Sequence, residues 1–124
     1  MKTNTKKILH VDDEPDTLKV VKTILEKEGF SVDSVERGKE ALEKIKANDY
    51  ALILLDIMMP DMSGWDLFTQ ITTINPAYKV IFLTVLEVSE AKLKKLKEQG
   101  IEDCITKPFD QVDLVKRVKE AISN

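Results

Sequence analysis

Two sets of carboxylates, a hydroxyl and an ammonium group are the residues of this 124-residue chain that could do chemistry together. They are Asp12-Asp13-Glu14, Asp56, Thr84 and Thr106-Lys107-Pro108. Each follows a short, largely apolar run, so each sits where a buried strand would end. Like charges held ~5 Å apart at an effective dielectric of ~20 repel by roughly 3 kcal/mol per pair, so gathering Asp12, Asp13 and Asp56 is unfavourable without compensation. A divalent cation reverses the sign. A few carboxylates completed by water suit Mg²⁺, which keeps part of its hydration shell and commonly bridges to a phosphate. Lys107 supplies a point charge for a phosphoryl oxygen, and Thr84 a hydroxyl that can donate to another. Such a set is a phosphoryl-transfer site in which an Asp is the nucleophile and positioning with charge neutralisation carries the catalysis.

The elements that must bring these residues together are legible from hydrophobic period. Residues 7–12, 30–35, 51–56, 79–84 and 103–106 read as short strands. Leu52-Ile53-Leu54-Leu55 and Val80-Ile81-Phe82-Leu83 are continuously apolar, as parallel strands covered on both faces are, while 30–35 alternates like an edge. Helical stripes lie between them: Leu18, Val21, Ile24 and Leu25 after Pro15; Ala41, Leu42 and Ile45; Leu67, Phe68, Ile71 and Ile74; a weaker Val88, Ala91, Leu93 and Leu96; and Leu114, Val115, Val118 and Ile122. Strands alternating with helices imply an α/β fold, a parallel sheet with helices on both faces. In an order 2-1-3-4-5, strands 1, 3, 4 and 5 are consecutive neighbours, and their polar ends converge on one crevice at the carboxyl edge.

Length and composition bound the rest. The expectation is one domain over 1–124, with a polar lead-in at 1–6 and no output domain. The single Cys104 excludes an intramolecular disulfide framework or a Cys-based zinc cluster and suits a reducing cytoplasm. The longest apolar run is far short of the ~20 residues of a membrane helix. A formal net charge of −3 does not point to direct nucleic-acid binding.

Four stretches carry a family resemblance: Ile8-Leu9-His10-Val11-Asp12-Asp13-Glu14-Pro15, Leu55-Asp56-Ile57-Met58-Met59-Pro60-Asp61-Met62-Ser63-Gly64, Leu83-Thr84 and Ile105-Thr106-Lys107-Pro108-Phe109. Over essentially its whole length the chain resembles the receiver domain of two-component response regulators. The resemblance implies a doubly wound, flavodoxin-like (βα)5 fold of order 2-1-3-4-5. It implies Asp56 as phosphoacceptor, taking a phosphoryl group from a sensor histidine kinase or phosphotransfer protein. Asp13, Asp56 and the Met58 carbonyl would ligate Mg²⁺ directly, with Asp12 acting through coordinated water. Thr84 would swing toward the phosphoryl group and Lys107 would clamp it, next to a cis Lys107–Pro108 bond. Output would pass through the surface of the fourth helix, fifth strand and fifth helix to an unknown downstream protein, and a phosphorylation-dependent homodimer is left open. Such a protein is a switch rather than a turnover enzyme, though it phosphorylates itself from small donors with Mg²⁺.

Three departures bear on the switch region, Thr84, Val85, Cys104 and Pro108. Cys104 stands where the family usually has an aromatic ring whose rotamer reports phosphorylation. Val85 replaces a smaller residue at the mouth of the site. Met58 and Leu86, at positions that tune the attacking water, are apolar, so self-dephosphorylation should be slow. Other residues read blandly. His10, inside the first strand, reads as a buried, hydrogen-bonded core residue rather than a ligand, and Cys104 as a small apolar group. Lys92, Lys94, Lys95 and Lys97 read as a solvated face, with docking of an acidic partner the alternative. Trp65 reads as packing or as a reporter near the site. An FMN binder would need hydroxyls and N–H groups where Asp12-Asp13-Glu14 stands. A haloacid-dehalogenase-type hydrolase would need an acid at Met58. The remaining alternative is a receiver-like interaction module that works without phosphorylation.

Overall fold

The continuously apolar runs become the middle of a sheet, every residue of which is buried at Leu52–Leu55 and Val80–Thr84. In the computed structural model, which describes residues 6–123, the elements are β1 (Lys7–Val11), α1 (Pro15–Lys27), β2 (Ser31–Val35), α2 (Gly38–Ala47), β3 (Leu52–Leu55), α3 (Gly64–Ile74), β4 (Val80–Thr84), α4 (Glu90–Glu98), β5 (Ile101–Thr106) and α5 (Gln111–Ser123). All neighbouring strands pair in parallel, in the order β2-β1-β3-β4-β5. Most of the expected lead-in, residues 1–5, lies outside the described residues.

Alternation along the strands splits the core into two layers. Leu9, Val11, Ile53, Leu55, Val80 and Phe82 pack with α2 and α3 and with Leu96 of α4. Ile8, Leu52, Leu54, Ile81 and Leu83 pack with Val21, Ile24 and Leu25 of α1 and Leu114, Val118 and Ala121 of α5. The chain leaves β1 toward β2 on one side and returns to place β3 on the other, so the topological switch point lies between β1 and β3. That is where open α/β sheets bind ligands.

Several boundaries fall a residue or two from expectation, and three of them have a visible cause. Phe30 is outside β2 because its N–H closes the last turn of α1 on Leu25 O at 3.2 Å. Val88 precedes α4, whose N-cap is Ser89; the Ser89 hydroxyl oxygen accepts the Lys92 N–H at 3.1 Å. β5 begins at Ile101 rather than Asp103, where a register shift between Val80 and Ile81 pairs Ile101 with Val80. Glu102 and Asp103 made this stretch look like a loop, but β5 is an edge strand that leaves such residues half-exposed. Gly29 and Gly100, at φ of 95° and 109°, take the left-handed conformation after α1 and α4 that favours glycine there. Among the described residues no helix is long and apolar enough to cross a membrane.

Candidate functional site

β1 and β3 flank the switch point, and each delivers an Asp on leaving the sheet. The last ladder bonds, Asp12 N–H to Val35 O at 3.1 Å and Asp56 N–H to Val11 O at 2.9 Å, hold both residues against the strand ends. Asp12 has no exposed surface and Asp56 only 5%, whereas Asp13 is exposed. An oxygen from each of Asp12, Asp13 and Asp56 lies within 4.8 Å of the others.

Lys107 is the counter-charge. Its backbone N–H donates to Thr84 O at 2.7 Å, which ties the ends of β5 and β4 together. Its ammonium donates to Asp12 Oδ2 at 2.7 Å and to Glu14 Oε1 at 3.1 Å and lies 3.6 Å from Asp56 Oδ2. The Lys107–Pro108 bond is cis, as expected. In this state the lysine belongs mainly to Asp12. Glu14, which the sequence placed in the acidic run but gave no role, is its second partner.

The electrostatics separate the two buried acids. Burial works against ionising Asp12, but facing His10, Lys107 and the Glu14 N–H outweigh it and hold the carboxyl below its usual value. Asp56 is pushed up to about 6, first by burial, with the charges of Asp12 and Asp13 adding to it, against the opposing Met58 N–H and Lys107. Lys107 is held above its ordinary value because Asp12, Asp56 and Glu14 outweigh burial. A carboxylate whose ionisation is opposed by burial and by two neighbouring acids is a group that a cation would relieve.

The remaining expected residues fall around this cluster. Asp56 Oδ1 accepts the Met58 N–H at 3.2 Å, so the Met58 backbone borders the acid while its side chain is 57% exposed. Thr84 is fully buried, and its Oγ1 accepts the Leu86 N–H at 3.2 Å. Val85 is 60% exposed and, with Glu14, Lys107, Pro108 and Phe109, lines a groove of about 430 Å³ beside the acids. A second depression, about 690 Å³, joins Asp13 to Met58, Trp65 and Leu86, so Trp65 borders the site. Trp65 also packs edge-on against Phe82, with ring centroids 4.9 Å apart, and Lys92 lies 5.2 Å over its face.

Cys104 is half-buried against the α2–α3 layer, and burial pushes its thiol up to about 11, in keeping with an apolar role. His10 is fully buried as expected, but the expected hydrogen bond is not made. Among the described residues both ring nitrogens lack a partner; Nε2 is 3.7 Å from Asp12 Oδ2, beyond hydrogen-bond range. Lys92, Lys94, Lys95 and Lys97 are exposed, a solvated face. The donor chemistry fits Mg²⁺: hard carboxylate oxygens from two strand ends, one of them open to solvent, with room for water.

A family model described as response regulator receiver domain matches residues 8–119. The chain belongs to that family. Among its relatives, the transcriptional regulatory protein CusR of Escherichia coli K12 is 36% identical over 113 residues, 91% of this chain and 49% of CusR. ResD of Bacillus subtilis 168 is 40% identical over 117 residues, 94% of this chain and 48% of ResD. This receiver domain thus spans about half the length of the curated relatives it matches. Among solved structures, a CheY-like receiver domain from Methanospirillum hungatei JF-1 superposes with a TM-score of 0.88 at 33% identity, covering 97% of this chain and 95% of that one. TrrA of Thermotoga maritima, solved in complex with Mg²⁺-BeF, superposes with a TM-score of 0.82 at 33% identity, covering 94% and 99%.

Proposed function

We propose that this receiver domain is a phosphoacceptor switch of a cytoplasmic two-component relay, with Asp56 taking the phosphoryl group of a sensor kinase or phosphotransfer phosphohistidine in the presence of Mg²⁺. The observation that carries it is Lys107 poised between Asp12 and Asp56 beside three converging carboxylates. In the transfer an ionised Asp56 oxygen attacks phosphorus, the P–N bond to the donor imidazole breaks, and the P–O bond of an acyl phosphate forms. Bound Mg²⁺ would neutralise charge on the carboxylates and the phosphoryl oxygens; Asp13, Asp56 and the Met58 carbonyl would hold it, with Asp12 behind a coordinated water. Lys107 turns from Asp12 to a phosphoryl oxygen, and the Thr84 hydroxyl, now occupied with the Leu86 N–H, donates to another.

These new charge-assisted bonds are what can bias a switch. Moving a population from 1:99 to 99:1 takes ~5.5 kcal/mol of differential stabilisation, the order that a few such bonds supply. The surface altered would be that of α4, β5 and α5, read by a downstream protein. With Cys104 in place of an aromatic ring, backbone movement after Thr84 carries the change.

Incubation with acetyl phosphate and Mg²⁺ is expected to add one phosphoryl mass, and chelation of the metal to prevent it. A chain that stays unmodified with Mg²⁺ present would instead be a phosphorylation-independent interaction module. Once formed, the acyl phosphate should decay slowly, because exposed Met58 and Leu86 offer no polar atom to orient water. Met58→Asn should shorten its lifetime by about tenfold, well inside what positioning a nucleophile contributes. Decay measured by intact mass over time checks this, and an unchanged lifetime would remove Met58 from the account.

A further inference from the structure

β1 buries Ile8, Leu9 and Val11 completely, and His10 among them. An imidazole with both nitrogens unpartnered among the described residues is an unfavourable occupant of such a strand, and an aliphatic residue would avoid the cost. Its neighbours indicate what the ring can do. Nε2 stands 3.7 Å from Asp12 Oδ2, the oxygen that Lys107 holds at 2.7 Å. Ser34 is the register partner of His10 in β2, and its Oγ is also buried without a partner among the described residues. Register partners on adjacent strands share a face of the sheet, so two orphaned polar side chains lie side by side, with a buried carboxylate next to one of them.

We infer that His10 is a positioning residue that takes the place of Lys107 on Asp12 when Lys107 turns to the phosphoryl group. The inference rests on the phosphoacceptor reading above. The three N–H donors of the Lys107 ammonium are now shared by Asp12 and Glu14, and a phosphoryl oxygen on Asp56 would draw the ammonium away and weaken its hold on Asp12 Oδ2. The oxygen it leaves belongs to a carboxylate with no exposed surface, so apart from a metal-coordinated water, a buried donor at hand is the ring 3.7 Å away. An approach of about 0.8 Å brings Nε2 to hydrogen-bond length. Were the Ser34 hydroxyl, unpartnered now among the described residues, to donate to Nδ1, it would fix the neutral ring with its proton on Nε2. The exchange adds no charge: Asp12 keeps a donor, and the ammonium is freed for the phosphoryl group.

Beryllofluoride, a tetrahedral phosphoryl mimic, tests this at saturating Mg²⁺, read by the fluorescence of Trp65, the sole tryptophan. His10→Leu should bind it about 10-fold more weakly, the low end of what losing such a supporting donor costs. The same variant should melt about 4 °C higher without ligand, because the buried polar cost is gone. His10→Gln, which keeps a donor at the Nε2 position, should return to within about 3-fold of the parent affinity. A role in packing alone would move affinity and melting together and would show no rescue by Gln. His10 is the sole histidine, so ring NMR reports it directly, and the loaded protein should show a protonated, exchange-protected Nε2. Parent-like affinity in His10→Leu, Gln no better than Leu, or an unprotonated Nε2 in the loaded state would overturn the inference alone. A parent protein that takes up no beryllofluoride would overturn the phosphoacceptor reading and this inference with it.

Discussion

Asp56→Asn is expected to take up no phosphoryl group from acetyl phosphate and Mg²⁺, yet to melt higher than the parent at pH 7.5 when metal is absent. Both results follow from one carboxylate. An amide has no anionic oxygen to attack phosphorus, and with it the site loses a charge that a divalent cation must see. Intact mass should therefore show no phosphoryl increment, and Mg²⁺ should no longer raise the melting temperature. Modification persisting in the variant would place the acceptor elsewhere.

The stability half depends on pH in a direction that the site dictates. Asp56 titrates at about 6 in the folded chain, against an ordinary 3.8, so folding favours its protonated form. That contribution is complete below about pH 4 and lost as pH rises through about 6. At pH 7.5 the parent carries the ionised carboxylate in a buried, acid-rich site, which costs on the order of 2 kcal/mol. Asn does not. The gap between parent and variant should be several degrees at pH 7.5, shrink through pH 6 and vanish near pH 4. Asp12 has the opposite sign, since its depressed carboxyl favours the fold above its ordinary value, but it is common to both proteins and largely cancels in the difference. Melting curves across pH decide the matter, and a gap that widened toward acid would mean that Asp56 is not the strained group.

Gly64→Ala is expected to cost about 3 kcal/mol or more of stability, lowering the melting temperature by about 10 °C. Gly64 opens α3, and its N–H donates to Ile57 O at 2.7 Å, which bolts the helix to the residue after the acceptor. A Cβ there would lie 2.5 Å from the Asp56 carbonyl oxygen and 2.8 Å from Ile57 Cα. These obstacles are backbone and cannot rotate away, so either α3 lifts or Asp56 moves. Mg²⁺ affinity should fall with stability, by about tenfold. Gly38→Ala is the contrast. There the Cβ would meet Met62 Cγ at 2.5 Å, the side chain is flexible, and the cost should stay below about 1 kcal/mol. Equal losses at the two positions would mean that close approach of the α3 backbone does not fix the acceptor loop.

The same loop shows why some features were not readable in the chain. Asp61 directly follows Met58-Met59-Pro60 and drew no reading of its own, yet its carboxylate accepts the N–H groups of Gly38 and Lys39 at 3.1 Å each. It caps α2, a helix whose own N-cap residue Arg37 makes no side-chain cap bond. Capping across 22 and 23 positions of sequence leaves no local pattern. The start of β5 was hidden for a related reason, since edge strands need not be apolar.

Sequence alone determined the parallel α/β fold and the positions of the acids, the hydroxyl and the lysine, because runs such as Leu52–Leu55 have no stable place except inside a covered sheet. Chain direction in a parallel sheet then sends every strand end to one edge. What only the tertiary structure decided is how those groups share charge: Lys107 with Asp12 and Glu14 more closely than with Asp56, Asp56 pushed up while Asp12 is held down, and His10 left without a partner among the described residues. Hydrophobic period reports which face of an element is dry, whereas partner choice among buried charges is set by differences of an ångström between residues far apart in the chain, and no local pattern carries those.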